Sequence, residues 1–191
     1  MDFADKNLAG VEDGVFDGLT QVSEIILRHN PISTLPPGLF NRAVSVTSLD
    51  LSYNNLISLD RYLFEDLGNL TTLDLSHNNL VNLPYGIFKT NFAVTSLDLS
   101  YNKLTGLPLD FLDAMMAIPK LLHLNSNQLL AENMPYDLFD LYKNVPPHSL
   151  IDIRIDSNFD LTCYPPIIST AAMTLFRHDG ISKCPPPDTV T

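Results

Sequence analysis

The chain has no tryptophan, two cysteines and only eight glycines in 191 residues. At this length a core can be buried without metal or disulfide staples, so the scarcity of cysteine is no obstacle to folding. Basic residues are scarce too. Eleven Lys and Arg face 22 Asp and Glu, for a net charge of -11 and an isoelectric point near 4.6. Such a chain repels phosphate backbones and anionic membrane surfaces, which excludes a nucleic-acid partner. No apolar run approaches the ~18 residues of a membrane-spanning helix, so no direct membrane insertion of this segment is expected. Met1 to Asp5 has neither the basic start nor the apolar stretch of a signal peptide. Catalytic signatures are missing as well. There is no G-x-S-x-G, no H-E-x-x-H, no phosphate-cradling glycine loop and no cysteine beside a histidine. The expectation is a non-enzymatic protein with no cofactor. What the chain does have is 45% hydrophobic residues with 17% charged ones, too apolar for disorder.

Those apolar residues recur. Val46 to Leu56, Leu70 to Leu80 and Val94 to Leu104 superimpose almost residue for residue, 24 positions apart. The template extends back to Val22, Ile25, Leu27, Asn30 and Ile32. It extends forward to Leu122, Leu124, Asn127 and Leu129, and more loosely to Leu150, Ile153, Ile155 and Asn158 after a 31-residue step. A second block follows most copies: Leu35-Pro36 to Phe40, Leu59 to Phe64, Leu83-Pro84 to Phe88, and Leu107-Pro108 to Leu112. Leu8, Val11, Phe16 and Leu19 fit this second block alone, with Lys6 in the asparagine slot. A fixed period of this size is the mark of a solenoid, and missing it would misassign the whole fold.

Six copies of L-x-x-L-x-L-x-x-N-x-L resemble the leucine-rich repeat superfamily, and the L-P-x-x-x-F half resembles its 24-residue "typical" subclass of extracellular recognition proteins. The resemblance implies an α/β, β-rich solenoid: a curved right-handed coil with a parallel sheet on the concave face and irregular, short helical or 3-10 segments on the convex face. One structural domain is expected. Its parts are an N-terminal cap at 1–21, six repeats over 22–158 starting near 22, 46, 70, 94, 119 and 150, a C-terminal cap at 159–184 and a Pro/Thr-rich tail at 185–191. Asp137 to Tyr142, inside the long step, suggests a helical turn.

Within each unit, L-x-L has the period of a strand with both leucines inward. Asn30, Asn54, Asn78, Asn102, Asn127 and Asn158 are expected to serve turn backbone with both amide donors and the carbonyl acceptor. Phe16, Phe40, Phe64, Phe88 and Phe139, with Leu112 substituting once, form a spine under the convex side. Three columns are left facing outward: Ile26, Asp50, Asp74, Asp98, His123 and Arg154; then Arg28, Ser52, Ser76, Ser100, Asn125 and Asp156; then His29, Tyr53, His77, Tyr101, Ser126 and Ser157. The aspartates should stack into a negative stripe beside alternating His and Tyr, which are good interface anchors. The candidate ligand-binding residues are therefore Arg28, His29, Asp50, Tyr53, Asp74, His77, Asp98, Tyr101, His123 and Arg154. Asp and Ser at these positions are also family background. No metal site is expected, because the histidines and aspartates lack zinc or calcium spacing.

Cys163 and Cys184 are the only cysteines and flank the piece that should fold over the last repeat. They are expected to form a disulfide worth roughly 3 kcal/mol, with two reduced core cysteines as the alternative. Asn69-Leu70-Thr71 is a glycosylation sequon. The expected function is recognition of a protein or peptide, of basic character, by the concave face of an extracellular receptor ectodomain or secreted protein. The alternatives are a cytoplasmic scaffold or regulatory subunit, or the targeting domain of a larger enzyme such as a receptor kinase.

Overall fold

Every strand of the principal sheet is three residues long or shorter, because each L-x-L element is cut off by a turn two residues later. A computed structural model describes residues 1–111, 119–130, 133–135, 152–158, 163–164, 176–177 and 182–183. The strands are β1 (Glu24–Ile26), β2 (Ser48–Asp50), β3 (Thr72–Asp74), β4 (Ser96–Asp98), β5 (Leu121–His123), β6 (Asp152–Arg154), β7 (Cys163–Tyr164), β8 (Phe176–Arg177) and β9 (Ser182–Lys183). β1 to β6 and then β8 form one parallel sheet in that order, and β7 pairs with β9. The result is a β-solenoid with almost no helix among the described residues. None of the described helices is long and apolar enough to cross a membrane.

Register follows the repeat. Leu49 lies opposite Leu73, Leu73 opposite Leu97, and Leu97 opposite Leu122. These leucines and Leu51, Leu75, Leu99 and Leu124 are fully buried or nearly so. A one-residue slip would turn all of them outward, so the pairing is strongly specified. Each fully buried leucine contributes roughly 1.5–3 kcal/mol of transfer free energy.

The asparagine column runs as a second ladder. Asn78 Nδ2 donates to Leu51 O (3.0 Å), Leu75 O (3.1 Å) and Ser76 O (3.1 Å), while its Oδ1 accepts from Leu56 N (3.0 Å). Asn54, Asn102, Asn127 and Asn158 repeat this pattern. Asn30 Oδ1 accepts from Lys6 N and Leu8 N instead. Asn91, fully buried, is a further inward amide; it donates to Phe64 O and Leu67 O.

On the far side, Phe16, Phe40, Phe64 and Phe88 stack with centroids 5.7 to 6.3 Å apart. The next ring is Phe111, edge-on to Phe88 at 5.8 Å. It comes from the neighbouring core column of Leu39, Leu63 and Ile87, four residues after Leu107 rather than five. Leu112 and Phe139, expected in the spine, lie outside the described residues.

Residues before β1 do more than supply a convex block. Ile26 N donates to Met1 O, Phe3 N to Ile26 O and Asp5 N to Arg28 O, so Met1 to Asp5 extends the sheet edge. Phe3 closes the spine against Phe16 at 6.1 Å. At the other end, β7 sets Cys163 opposite Ser182 of β9. Cys184, and with it the expected disulfide, falls outside the described residues, as do Asp137 to Tyr142, the start at Leu150 and the tail.

Candidate functional site

The residue between the two inward leucines must point out of the sheet, and parallel pairing in register then stacks the equivalents. Asp50 lies opposite Asp74, Asp74 opposite Asp98, Asp98 opposite His123, and His123 opposite Arg154. Each aspartate also closes the turn that follows it. Oδ1 of Asp50, Asp74 and Asp98 accepts from the backbone N–H of Ser52, Ser76 and Ser100 at 2.9 to 3.0 Å, and Ser52 and Ser100 add their hydroxyls at 2.6 Å. The D-x-S pattern therefore has a local structural job. It also draws the serine column inward: Ser52, Ser76, Ser100 and Asn125 are buried, not exposed to a ligand as their sequence position suggests. The chain is already turning at that residue.

The charges on the sheet face form pairs. Arg28 reaches Asp50 at 3.4 Å, an exposed contact worth about 0–1 kcal/mol. His123 is almost enclosed, with Nδ1 2.9 Å from Asp98 and Nε2 3.2 Å from Asp152. Arg154 holds Asp152 with two contacts, 2.7 and 3.1 Å. Burial alone would push the His123 pKa down, but its hydrogen bond to Asp98, the Asp98 charge and the bond to Asp152 outweigh it, and the net shift is upward. Burial likewise opposes ionisation of Asp98, yet the bonds from His123 and Ser100 leave its pKa lowered. His123 can donate from both ring nitrogens only as an imidazolium.

Asp74 is the exception within the aspartate stripe. Among the described residues no cation pairs with it. Burial pushes its pKa up, the hydrogen bonds of Ser76 pull it down, and the charges of Asp98 and Asp50 on either side push it up again, leaving it raised.

His29, Tyr53, His77 and Tyr101 are brought together as one continuous stack. Successive centroids lie 4.3, 4.0 and 4.2 Å apart with interplanar angles of 12°, 10° and 9°. All four residues sit in the left-handed region, at φ of 53 to 55°. That conformation swings the chain out of the strand toward the inward asparagine, and it aligns the rings along one edge of the sheet. They line an open groove with Asp5, Pro31, Asn55, Asn79, Lys103 and Ser126.

Sequence reasoning missed Asp152. It belongs to a fourth outward column, with Glu24, Ser48, Thr72, Ser96 and Leu121, one residue before the first inward leucine. Strand alternation alone marks this column as outward. Asn69, exposed just before β3, donates to Val44 O at 2.8 Å.

No group of three or more potential metal ligands occurs among the described residues. The leucine rich repeat family model matches the chain in overlapping windows at residues 2–56, 20–80, 44–104 and 68–129. No curated protein matches it. Among solved structures, a chain of the Drosophila Toll–Spatzle complex is 25% identical with a TM-score of 0.68, covering 87% of this chain and 20% of that one. Its glycosylated form gives 26% identity and a TM-score of 0.66, covering 78% and 19%. The leucine-rich repeat domain of APL1B shares the fold at 22% identity and a TM-score of 0.65, covering 96% and 48%. The chain thus spans about a fifth to a half of the length of these structures. With the family model spanning residues 2 to 129 and the strands, asparagines and phenylalanines all in register, the chain belongs to the leucine-rich repeat family.

Proposed function

We propose that the chain recognises a protein or peptide of basic character through its sheet face, as part of an extracellular or cell-surface receptor and without catalysis. The observation that carries this reading is Asp74. Among the described residues it is the one carboxylate of the stripe with no cation paired to it, and it is flanked by two more. A partner cation there would relieve a cost the free protein bears. Structural likeness to a chain of the Toll–Spatzle complex supports a protein as the partner, and the sequon at Asn69 supports an extracellular setting. Asp50 and Asp98 contribute less, since Arg28 and His123 already engage them.

The test is affinity capture with the chain, then titration of the captured partner against wild type and Asp74→Asn. The amide keeps an acceptor for Ser76 N–H and removes only charge. Weaker binding by the variant, with the difference shrinking at high salt, is expected. Equal affinities at low salt would refute the role of the stripe.

A further inference from the structure

The three carboxylates of the acidic stripe are compensated in three different ways. Asp50 has the guanidinium of Arg28 at 3.4 Å, and Asp74 has no cation among the described residues. Asp98 has a group that can gain and lose its charge: His123, whose Nδ1 lies 2.9 Å from Asp98 Oδ2.

His123 stands between two strands that both direct carboxylates at it. Asp98 approaches from β4. Asp152, with Arg154 beside it, approaches from β6 and reaches Nε2 at 3.2 Å. On β5 itself no other residue is ionisable. Arg154 already holds Asp152 through two contacts, 2.7 and 3.1 Å. Asp98 has no second cation among the described residues; its other bonds come from the backbone N–H and the hydroxyl of Ser100. The cluster therefore sets two carboxylates against Arg154 and the imidazolium, and it is neutral while His123 is protonated. Loss of the proton leaves it with one net negative charge, whichever ring nitrogen keeps its hydrogen. Because Arg154 stays on Asp152, that charge falls on Asp98, which lies opposite Asp74 in register. His123 is 9% exposed, so salt screens the change weakly.

From this cluster we infer that His123, by its protonation, sets how tightly the acidic stripe holds a basic partner. The deprotonated ring presents Asp74 and Asp98 as two neighbouring uncompensated carboxylates, a match for two adjacent cations; the protonated ring leaves Asp74 alone. The inference gives the recognition function proposed above its control and rests on that reading. The effect is reciprocal, so a partner cation on the stripe weakens the hold of His123 on its proton. Burial works against the imidazolium, but the bond and charge of Asp98 and the bond to Asp152 outweigh it, so the change falls above pH 6.5, where a lysine partner keeps its charge. His123 stands one strand from Asp98 and two from Asp74, about 10 Å at ordinary strand spacing. One charge at that distance alters affinity for a partner cation roughly two- to ten-fold at low salt.

A capped tetralysine peptide is the probe, titrated at low salt into wild type, His123→Asn, His123→Arg and Asp74→Asn at about pH 6 and about pH 9. Wild type is expected to bind roughly two- to ten-fold tighter at the higher pH. His123→Asn, uncharged throughout, should bind at both as wild type does at the higher pH. His123→Arg, charged throughout, should bind at both as wild type does at the lower. Arginine already occupies this column at Arg154, so that variant is expected to fold. His29 and His77 are present in all four proteins, and their part cancels in the comparison. The His123 ring signal, followed by NMR, should show its pKa falling when the peptide saturates the chain. Wild-type pH dependence retained in either His123 variant, or a His123 pKa unmoved by bound peptide, would overturn the inference and leave the stripe standing, provided that Asp74→Asn still weakens binding. Peptide binding that Asp74→Asn does not weaken would refute the stripe itself, and its control by His123 with it.

Discussion

Replacing Asn78 by alanine separates the bonds that matter in the amide ladder from those that are duplicated. Asn78 makes four hydrogen bonds, but three of its partners have a second donor. Leu51 O keeps Asn54 Nδ2, Leu75 O keeps Asn102 Nδ2 and Ser76 O keeps Tyr53 N. Only Leu56 N–H, buried beneath a fully enclosed leucine, loses its sole acceptor. One orphaned buried donor costs about 1–3 kcal/mol, and weakening three shared bonds adds about 1 kcal/mol more. The expected destabilisation is therefore about 2–4 kcal/mol, well short of four independent losses. Asn78→Asp sharpens the test. A carboxylate still accepts from Leu56 N–H but offers no donor, and at neutral pH it places a negative charge among three carbonyl oxygens. It should be worse than alanine at pH 7, and the order should reverse or close under acid conditions where the side chain is neutral. Urea unfolding, comparing midpoints at constant slope, measures both. An alanine variant within about 0.5 kcal/mol of wild type would refute the ladder account, as would an aspartate variant equal to it at pH 7.

Three other outcomes follow from the same geometry. Because the His123 pKa is raised, its contribution is fully present below its unfolded value near 6.5 and is lost as pH rises through the folded one; wild type should therefore lose stability over that interval and His123→Asn should not, read from thermal midpoints against pH. The Asp74 pKa is raised as well, so its ionisation costs stability above the folded value. Asp74→Asn should unfold at higher denaturant than wild type at pH 7, with the gain vanishing once pH falls below about 3.8, even as partner binding weakens. Phe64→Ala, which removes the middle ring of the spine, should cost about 3–5 kcal/mol by chemical denaturation; a loss under 1 kcal/mol would mean that the convex side collapses without its rings.

The repeat made the fold legible because the same physical demand recurs every 24 residues. Leucines at 73, 75, 97 and 99 and asparagines at 54, 78 and 102 sit where period-two alternation and a turn after the strand require. What the pattern did not show is which outward residues are already occupied. Ser52 and Ser100 read as exposed until the aspartate two residues earlier takes both their N–H and O–H. Nor does spacing within one unit show that His123 reaches Asp152, because the two lie 29 positions apart, across a step longer than the 24-residue repeat. Phe111 taking its place beside Phe88 was hidden for a related reason: a ring one position early reaches the spine only by turning edge-on.

The exposed rings are harder to explain by stability than anything else in the molecule. The turn demands positive φ before each inward asparagine, and glycine would adopt it freely. A tyrosine or histidine there costs roughly 1–2 kcal/mol. Stacking returns about 0.5–1.5 kcal/mol per contact, and four rings make only three contacts. The stack at best breaks even with its own backbone strain. Solvent does not account for it either, since Tyr53 and Tyr101 leave about half their surface in water. Four consecutive repeats nonetheless carry a ring at this position, while the N-terminal cap and the later repeats carry Asp5, Ser126 and Ser157 in the same conformation. The backbone tolerates small polar residues in that column, so its conformation does not by itself demand rings at 29, 53, 77 and 101. An exposed, pre-ordered row of flat side chains presents large contact area with little entropy left to lose, which suits the recognition role proposed above.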